Sequence, residues 1–106
     1  MKLSLTKNFL MKIEFSKESK NDFDTSLNYY KNESEELASR FRLDIKQSLK
    51  RIEIFPNLYP KINEKVHKCV VSKFPYTVYY MIKNETIFIL GIANHYQNPN
   101  TFKQRF

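Results

Sequence analysis

The 106-residue sequence predicts an α+β domain of order β-α-α-β-β-β, with an antiparallel helical hairpin packed on one face of a mostly antiparallel sheet. Apolar residues recur every three or four positions in two segments between residues 17 and 55, which is typical of amphipathic helices. Three β-branched and aromatic runs follow between residues 66 and 93, separated only by short turn signals, and these are typical of antiparallel strands.

A short strand and a helix are predicted first. The alternating residues Lys12–Phe15 predict a strand, and Ser16 is a suitable N-cap for a helix from about residue 17 to residue 31. The apolar face of this helix has the spacing i, i+4 and i+7: Phe23, Leu27 and Tyr30. We interpret residues 1–10 as an N-terminal extension before a single domain at residues 11–106, with Met11 as an alternative start.

A second, longer helix is predicted after Asn32, which breaks the first helix and resembles a capping box with Glu35. Its apolar stripe reads Leu37, Phe41, Ile45, Leu49 (or Ser48), Ile52 and Phe55. The helix is expected to stop before Pro56, because a residue that precedes proline disfavours helical geometry. The short connection between the two helices implies an antiparallel hairpin.

Three strands are predicted at about residues 67–73, 77–83 and 86–93. Asn84-Glu85 is short enough to link the last two as a hairpin. The run from Ile87 to Ile92 is almost wholly apolar, so we expect this strand to be central and covered on both faces. Pro99 ends regular pairing and leaves a tail.

Composition excludes several classes of protein. A single glycine argues against phosphate-binding loops that need several, and we expect no cofactor. Cys69 is the only cysteine, so there is no internal disulfide; on an apolar strand it is expected to be a core residue, and the pattern fits a cytoplasmic protein. No apolar run reaches the ~18 residues needed to span a membrane.

The formal charge of +7 is uneven along the chain. Residues 1–55 hold 11 Lys/Arg and 9 Asp/Glu, whereas residues 56–106 hold 7 and 2, so the balances are +2 and +5. A basic sheet half indicates a polyanionic partner, either nucleic acid or an acidic protein segment. The alternative is that the charge serves solubility alone.

Polar and basic side chains are predicted to gather at the strand ends and the tail: Lys68, Lys73, His95, Tyr96, Lys103 and Arg105. A histidine beside a tyrosine can transfer protons in RNA cleavage, and cations can stabilise charge on phosphorus without a metal ion. An ordinary solvated rim explains the same residue types. His67 and His95 lack the spacing of a metal site, so no metal is predicted.

Three groups of residues resemble the RelE/ParE superfamily of toxins from bacterial type II toxin–antitoxin systems. They are the I-x-x-x-P helix end (Ile52 to Pro56), the F-P-Y-x-V-x-Y run (Phe74 to Tyr80), and the last strand with Asn98-Pro99 and Arg105. The resemblance covers about Met11 to Arg105. Members commonly show H-x-x-R-[ND]-P after the last strand, where this chain has Asn94 and Gln97 instead of the histidine and arginine.

The resemblance implies that the protein inhibits growth and that a cognate antitoxin folds on binding to it. A heterotetramer of toxin and antitoxin is one candidate for the assembled complex. ParE-like members inhibit DNA gyrase and need no catalytic set; RelE-like members cleave mRNA on the ribosome. We favour the hypothesis of a ParE-like gyrase inhibitor because Asn94 and Gln97 depart from the family pattern. As a nuclease, the chain would depend on Lys68, Lys73, His95, Tyr96 and Arg105; an inactive orphan toxin is the third reading.

Overall fold

The computed structural model describes residues 11–97 and 103–106, and in them the predicted order β-α-α-β-β-β is confirmed. The elements are β1 (Lys12–Phe15), α1 (Lys17–Glu33), α2 (Glu35–Ile54), β2 (Val66–Val70), β3 (Tyr76–Lys83), β4 (Thr86–Asn94) and a 3-10 turn (Lys103–Arg105). The extension predicted at residues 1–10 and the strand-ending Pro99 lie outside the described residues. None of the described helices is long and apolar enough to cross a membrane.

The sheet has the strand order β1-β4-β3-β2. β1 pairs in parallel with β4, while the β4–β3 and β3–β2 pairs are antiparallel, so the mostly antiparallel prediction is confirmed. β4 is central, as predicted, and its predicted coverage on both faces is confirmed only in its C-terminal half, where Ile92 on one face and Gly91 and Ala93 on the other are buried. Ile87 and Ile89 are fully buried beneath the helices, whereas Phe88 on the opposite face is only partly buried.

We call the face opposite the helices the open face; it is defined by Lys68, Val70, Tyr79 and Phe88. Side chains alternate between the faces of a strand. Cys69 and Val78 pair across β2 and β3 and are fully buried, so their neighbours Lys68 and Tyr79, also a cross-strand pair, point the other way. The helical hairpin covers the opposite face, and the four side chains that define the open face are exposed or partly buried, whereas Thr77 and Ala93 on the same face are buried.

Ser34 joins the two helices. Its backbone N–H donates to the Tyr30 carbonyl at 2.9 Å, and its Oγ accepts from the Leu37 N–H at 3.0 Å. One residue therefore ends α1 and caps α2. The predicted break and capping box at Asn32 are wrong, because Asn32 remains helical and Ser34 has the extended backbone that a cap needs.

The α2 stripe forms much of the core, with Phe41 and Ile52 fully buried. Of the two alternatives Leu49 and Ser48, Ser48 is fully buried, and Leu49 is partly buried against the core. The prediction for Phe55 is wrong, because Phe55 is 55% exposed. Phe55 leaves helical geometry as the C-cap, with φ −127° and ψ 63°, so the helical spacing no longer directs its side chain inward.

An aromatic cluster fastens the Phe74-Pro75-Tyr76 segment to the helices. Ring centroids lie 5.0 Å apart for Tyr30 and Phe74, and 4.9 Å apart for Phe41 and Tyr76. Burial raises the pKa of the Tyr30 hydroxyl, and a hydrogen bond to Tyr76 raises it further. Buried aromatic rings at this separation stabilise the fold beyond their area.

The end of α2 is fastened to β3 by one hydrogen bond. The Tyr80 hydroxyl donates to the Pro56 carbonyl at 2.7 Å, and Tyr80 is fully buried. Burial raises the pKa of this hydroxyl, so it stays protonated as a donor.

The β3–β4 hairpin turns on two residues in the left-handed region, Asn84 at φ 53° and Glu85 at φ 59°. The predicted two-residue turn is confirmed, and its angles match the type I′ turn that fits the twist of antiparallel strands. Asparagine tolerates this region, but glutamate does so at a cost of roughly 1 kcal/mol.

Glu85→Gly is expected to stabilise the protein by about 0.5 kcal/mol, because glycine removes the left-handed strain but adds entropy to the unfolded chain. The measurement is the free energy of unfolding in urea. Lys83→Gly is the matched control: Lys83 lies in β3, so glycine there is expected to destabilise. An unchanged or lower stability of Glu85→Gly contradicts the interpretation of the turn.

Candidate functional site

Asp44 of α2 holds the loop that connects β2 and β3. Its Oδ2 accepts hydrogen bonds from the backbone N–H groups of Lys73 and Phe74, both at 2.9 Å. β2 ends at Val70 rather than at residue 73: the Val71 N–H still donates to the Tyr76 carbonyl, but the N–H groups of Lys73 and Phe74 are bound to the helix. The Asp44 side chain is buried, with only 2% of the residue exposed.

The second oxygen of this carboxylate, Asp44 Oδ1, is buried and has no hydrogen-bond partner among the described residues. A buried acceptor left without a donor costs about 1–3 kcal/mol. Asp44 also lines a hollow of about 570 Å³ between α2 and the β2–β3 loop. We call this the Asp44 hollow; its lining residues are Leu37, Arg40, Leu43, Asp44, Gln47, Lys73 and Phe74.

The solvent face of α2 is strongly basic. Between Leu37 and Ile52 the helix carries five basic residues, and its one acidic residue is the buried Asp44. Four of the five are exposed: Arg40, Arg42, Lys46 and Lys50. The charge balance of +2 for residues 1–55 conceals this surface, because acidic residues elsewhere in that half offset it.

A groove of about 360 Å³ lies on the other side of α2, between the two helices. Its apolar lining includes Phe23, Ile45 and Leu49. Three cations, Lys20, Arg42 and Lys46, and one acidic residue, Asp24, line the same groove and are exposed. This interhelix groove therefore combines an apolar lining with cationic side chains at its rim.

Arg105 forms a bidentate ion pair with Asp22 of α1. Its Nη1 donates to Asp22 Oδ2 at 2.7 Å and its Nη2 to Oδ1 at 3.1 Å. Asp22 Oδ2 also accepts from the backbone N–H of Ile92 at 3.0 Å. β1 ends at Phe15, which pairs with Ile89, so β1 does not extend to the Ile92 N–H. The Asp22 carboxylate binds this backbone donor of β4 instead. The hydrogen bond to Asp22 raises the pKa of the Arg105 guanidinium.

The chain after Arg105 lies on the open face. The rings of Phe106 and Tyr79 are 4.7 Å apart, and the Asn63 side-chain amide donates to the Phe106 carbonyl at 3.2 Å. Gly91 permits this approach: a Cβ added there would lie 3.2 Å from Arg105 Nη1 and 3.4 Å from the Phe106 ring. The end of the chain therefore covers part of the open face.

His95 and Tyr96 lie in the turn that follows β4. The His95 ring is exposed, and its Nε2 lies 2.9 Å from the Thr77 hydroxyl. Tyr96 is 86% exposed. Asn94 and Gln97 hold this turn: the Asn94 backbone N–H donates to Gln97 Oε1, and Asn94 Oδ1 accepts from the Tyr96 N–H. The two residues that depart from the family pattern thus have a conformational role.

The structure does not bring the predicted site residues to one point. Lys68 projects from the open face, whereas Lys73 lines the Asp44 hollow beside the helices. Arg105 is paired with Asp22 at the edge of β4, and Tyr96 points into solvent. The side chain of Lys103 lies outside the described residues.

His67 and Cys69 belong to the core of the described fold. The His67 ring stacks on Tyr80 at 4.9 Å, and its Nδ1 lies 2.8 Å from the Tyr59 carbonyl. Cys69 is fully buried as predicted, and burial raises the pKa of its thiol. The described residues hold no group of three or more His, Cys, Asp or Glu side chains that could bind a metal ion.

Sequence reasoning missed both carboxylates that organise these surfaces. Asp44 follows Phe41 by three residues and precedes Ser48 by four, so its spacing already places it on the buried face of α2. A charged residue at such a position was the available signal. Asp22 offered none, because its partners Ile92 and Arg105 are 70 and 83 residues away.

Arg105→Ala is expected to destabilise the protein by about 1–2 kcal/mol, because it leaves the mostly buried Asp22 carboxylate without its cation. The free energy of unfolding in urea is the measurement. Gln104→Ala is the control, since Gln104 is exposed and should leave stability unchanged. Equal stability of the two variants would show that the ion pair contributes nothing.

The comparisons with known proteins agree with this fold. Residues 13–99 match the model of the family described as the ParE toxin of the type II toxin–antitoxin system parDE. A solved structure, the chromosomal ParDE toxin–antitoxin system from P. aeruginosa, is similar with a TM-score of 0.71 and 20% identity, covering 81% of this chain and 97% of that chain. No curated protein is significantly similar. The chain belongs to the ParE toxin family, within the RelE/ParE superfamily.

Proposed function

We propose that this protein is the toxin of a type II toxin–antitoxin system that inhibits growth by blocking DNA gyrase in the cytoplasm. The observation that carries the proposal is the ParE family match, which begins in β1 and extends beyond the end of β4. The resemblance to the superfamily supplies the gyrase target, which is the activity of its ParE-like members.

The arrangement of the candidate catalytic residues supports a binding protein rather than a nuclease. RNA cleavage needs an acid, a base and cations arranged around one phosphate. Lys68 and Lys73 lie on different sides of the sheet, and Arg105 is held by Asp22. Inhibition by binding requires a complementary surface only.

A cognate antitoxin is the second part of the proposal. The interhelix groove, with its apolar lining and the cations Lys20, Arg42 and Lys46, matches an acidic amphipathic segment. Such a segment buries its apolar side chains in the groove and places carboxylates beside the cations. A chain that folds on binding can cover this extended surface.

One observation favours cleavage of ribosome-bound mRNA as the second candidate function. The His95 ring contacts the Thr77 hydroxyl, and Thr77 shares the open face with Lys68, so an acid–base group and a cation are available on one surface. Mapping of mRNA 5′ ends in a translation reaction tests this candidate. New ends that depend on the toxin support it, and intact mRNA excludes it.

Purified toxin is expected to inhibit supercoiling of relaxed plasmid by gyrase in a concentration-dependent manner, because it occupies a surface that the enzyme needs. The measurement is the topoisomer distribution on agarose gels. Heat-unfolded toxin at the same concentration is the control for non-specific effects of a basic chain. Unchanged supercoiling at saturating folded toxin would refute the gyrase target.

Expression of the toxin alone is expected to stop growth, and coexpression with the product of the adjacent reading frame is expected to restore it. Affinity purification of tagged toxin then yields both proteins, and the mass of the complex distinguishes a heterodimer from a heterotetramer. Toxin expression that leaves growth unaffected would favour an inactive orphan and contradict the proposal.

A further inference from the structure

We propose that the Asp44 hollow is a binding site for an acidic, partly apolar polypeptide segment of the antitoxin, anchored by an N–H donor on Asp44 Oδ1. This site is separate from the interhelix groove, since the two lie on opposite sides of α2 and share no lining residue. The inference rests on the proposed function, because that function supplies the antitoxin.

Asp44 Oδ1 determines the first requirement on the ligand, which is a hydrogen-bond donor. The other oxygen of the carboxylate is already bound to the N–H groups of Lys73 and Phe74. Oδ1 is buried and lacks a partner among the described residues, and Asp44 is one of the residues that line the hollow. Lys73 and its neighbour Ser72 are exposed residues of a loop. Because Oδ1 is buried, the proposal requires this loop to shift when a donor binds.

The charges around the hollow determine the second requirement. Two exposed cations, Arg40 and Lys73, line the hollow and disfavour a bound cation, although Arg40 is ion-paired with Glu36 of the same helix. A simple anion is disfavoured at Oδ1, because it would meet the Asp44 carboxylate. The ligand that satisfies both conditions has a neutral donor in the hollow and a negative charge farther out, opposite Lys73.

The apolar lining supplies the third requirement. Leu37 and Phe74 are partly buried, and Leu43 is 53% exposed between the hollow and solvent. Covering these side chains releases water and stabilises a complex. A polypeptide meets all three requirements together, with a backbone or side-chain amide on Oδ1, apolar side chains against Leu43, and carboxylates at the rim.

A ligand in the hollow is also expected to affect the loop that packs on the aromatic core. The backbone N–H groups that Asp44 binds belong to the loop ending in Phe74, whose ring packs on Tyr30 and Phe41. A donor on Oδ1 stiffens the carboxylate and thereby the loop. Complex formation should therefore slow amide exchange at residues 73 and 74.

The test is calorimetric titration of the toxin with the antitoxin that copurifies with it. Asp44→Asn retains an oxygen for the N–H groups of Lys73 and Phe74 but replaces the second acceptor by an NH₂ donor. We expect a Kd about 10- to 100-fold weaker than that of wild type, the range for a hydrogen bond to a charged group. Glu64→Gln, an exposed change of the same kind, is the matched control and should leave the Kd unchanged.

Thermal unfolding followed by circular dichroism shows whether Asp44→Asn is folded. A second variant tests the hollow independently if Asp44→Asn misfolds. Lys73→Glu keeps the backbone N–H and reverses an exposed charge, so it is expected to weaken binding about 5- to 10-fold, with less effect at high salt. Lys61→Glu, an exposed loop lysine that does not line the hollow, is its control.

The outcomes separate this inference from the proposed function. If wild-type toxin forms no complex with the antitoxin candidate, both are overturned. If the complex forms but Asp44→Asn and Lys73→Glu bind within twofold of wild type, only the hollow is excluded. Unchanged amide exchange at residues 73 and 74 on complex formation excludes it as well.

Discussion

The two hydrogen bonds from the Lys73 and Phe74 backbone to Asp44 are the constraint on which the architecture of the helix-covered face depends. They join the middle of α2 to the loop between two strands. The loop then delivers Phe74 and Tyr76 into the aromatic cluster with Tyr30 and Phe41. A charged group buried in a core is tolerated when its hydrogen bonds are made, and here only one of its two oxygens has them.

A second carboxylate, Asp22 of α1, has a corresponding role at the edge of β4 that faces β1. Asp22 binds the Ile92 N–H beyond the end of β1 and also binds Arg105. The end of the chain is thereby held against the open face, in a space that exists because residue 91 is glycine. Arg105, one of the five residues on which a nuclease would depend, is thus ion-paired with Asp22, while Arg42, Lys46 and Lys50 of α2 are exposed.

Much of the fold was predictable because its signals are local. The alternation in Lys12–Phe15 and the helical spacing of Phe41, Ile45 and Ile52 each follow from a few neighbouring residues. The errors arose where two local signals competed. Asn32 and Ser34 both suit a helix terminus, and Phe55 has helical spacing but lies where the helix has already ended.

The candidate site was less predictable, because it depends on contacts between distant residues. Periodicity and short motifs were enough to predict the α+β class, the order of elements, the core stripe of α2 and the resemblance to the RelE/ParE toxins. Three features became visible only in the folded chain: Lys68 and Lys73 lie on different sides of the sheet, Arg105 pairs with Asp22, and α2 presents a basic surface beside a hollow containing Asp44. The physical reason is that charge and hydrogen-bonding groups act over a few ångströms in space, and the fold alone determines which of them become neighbours.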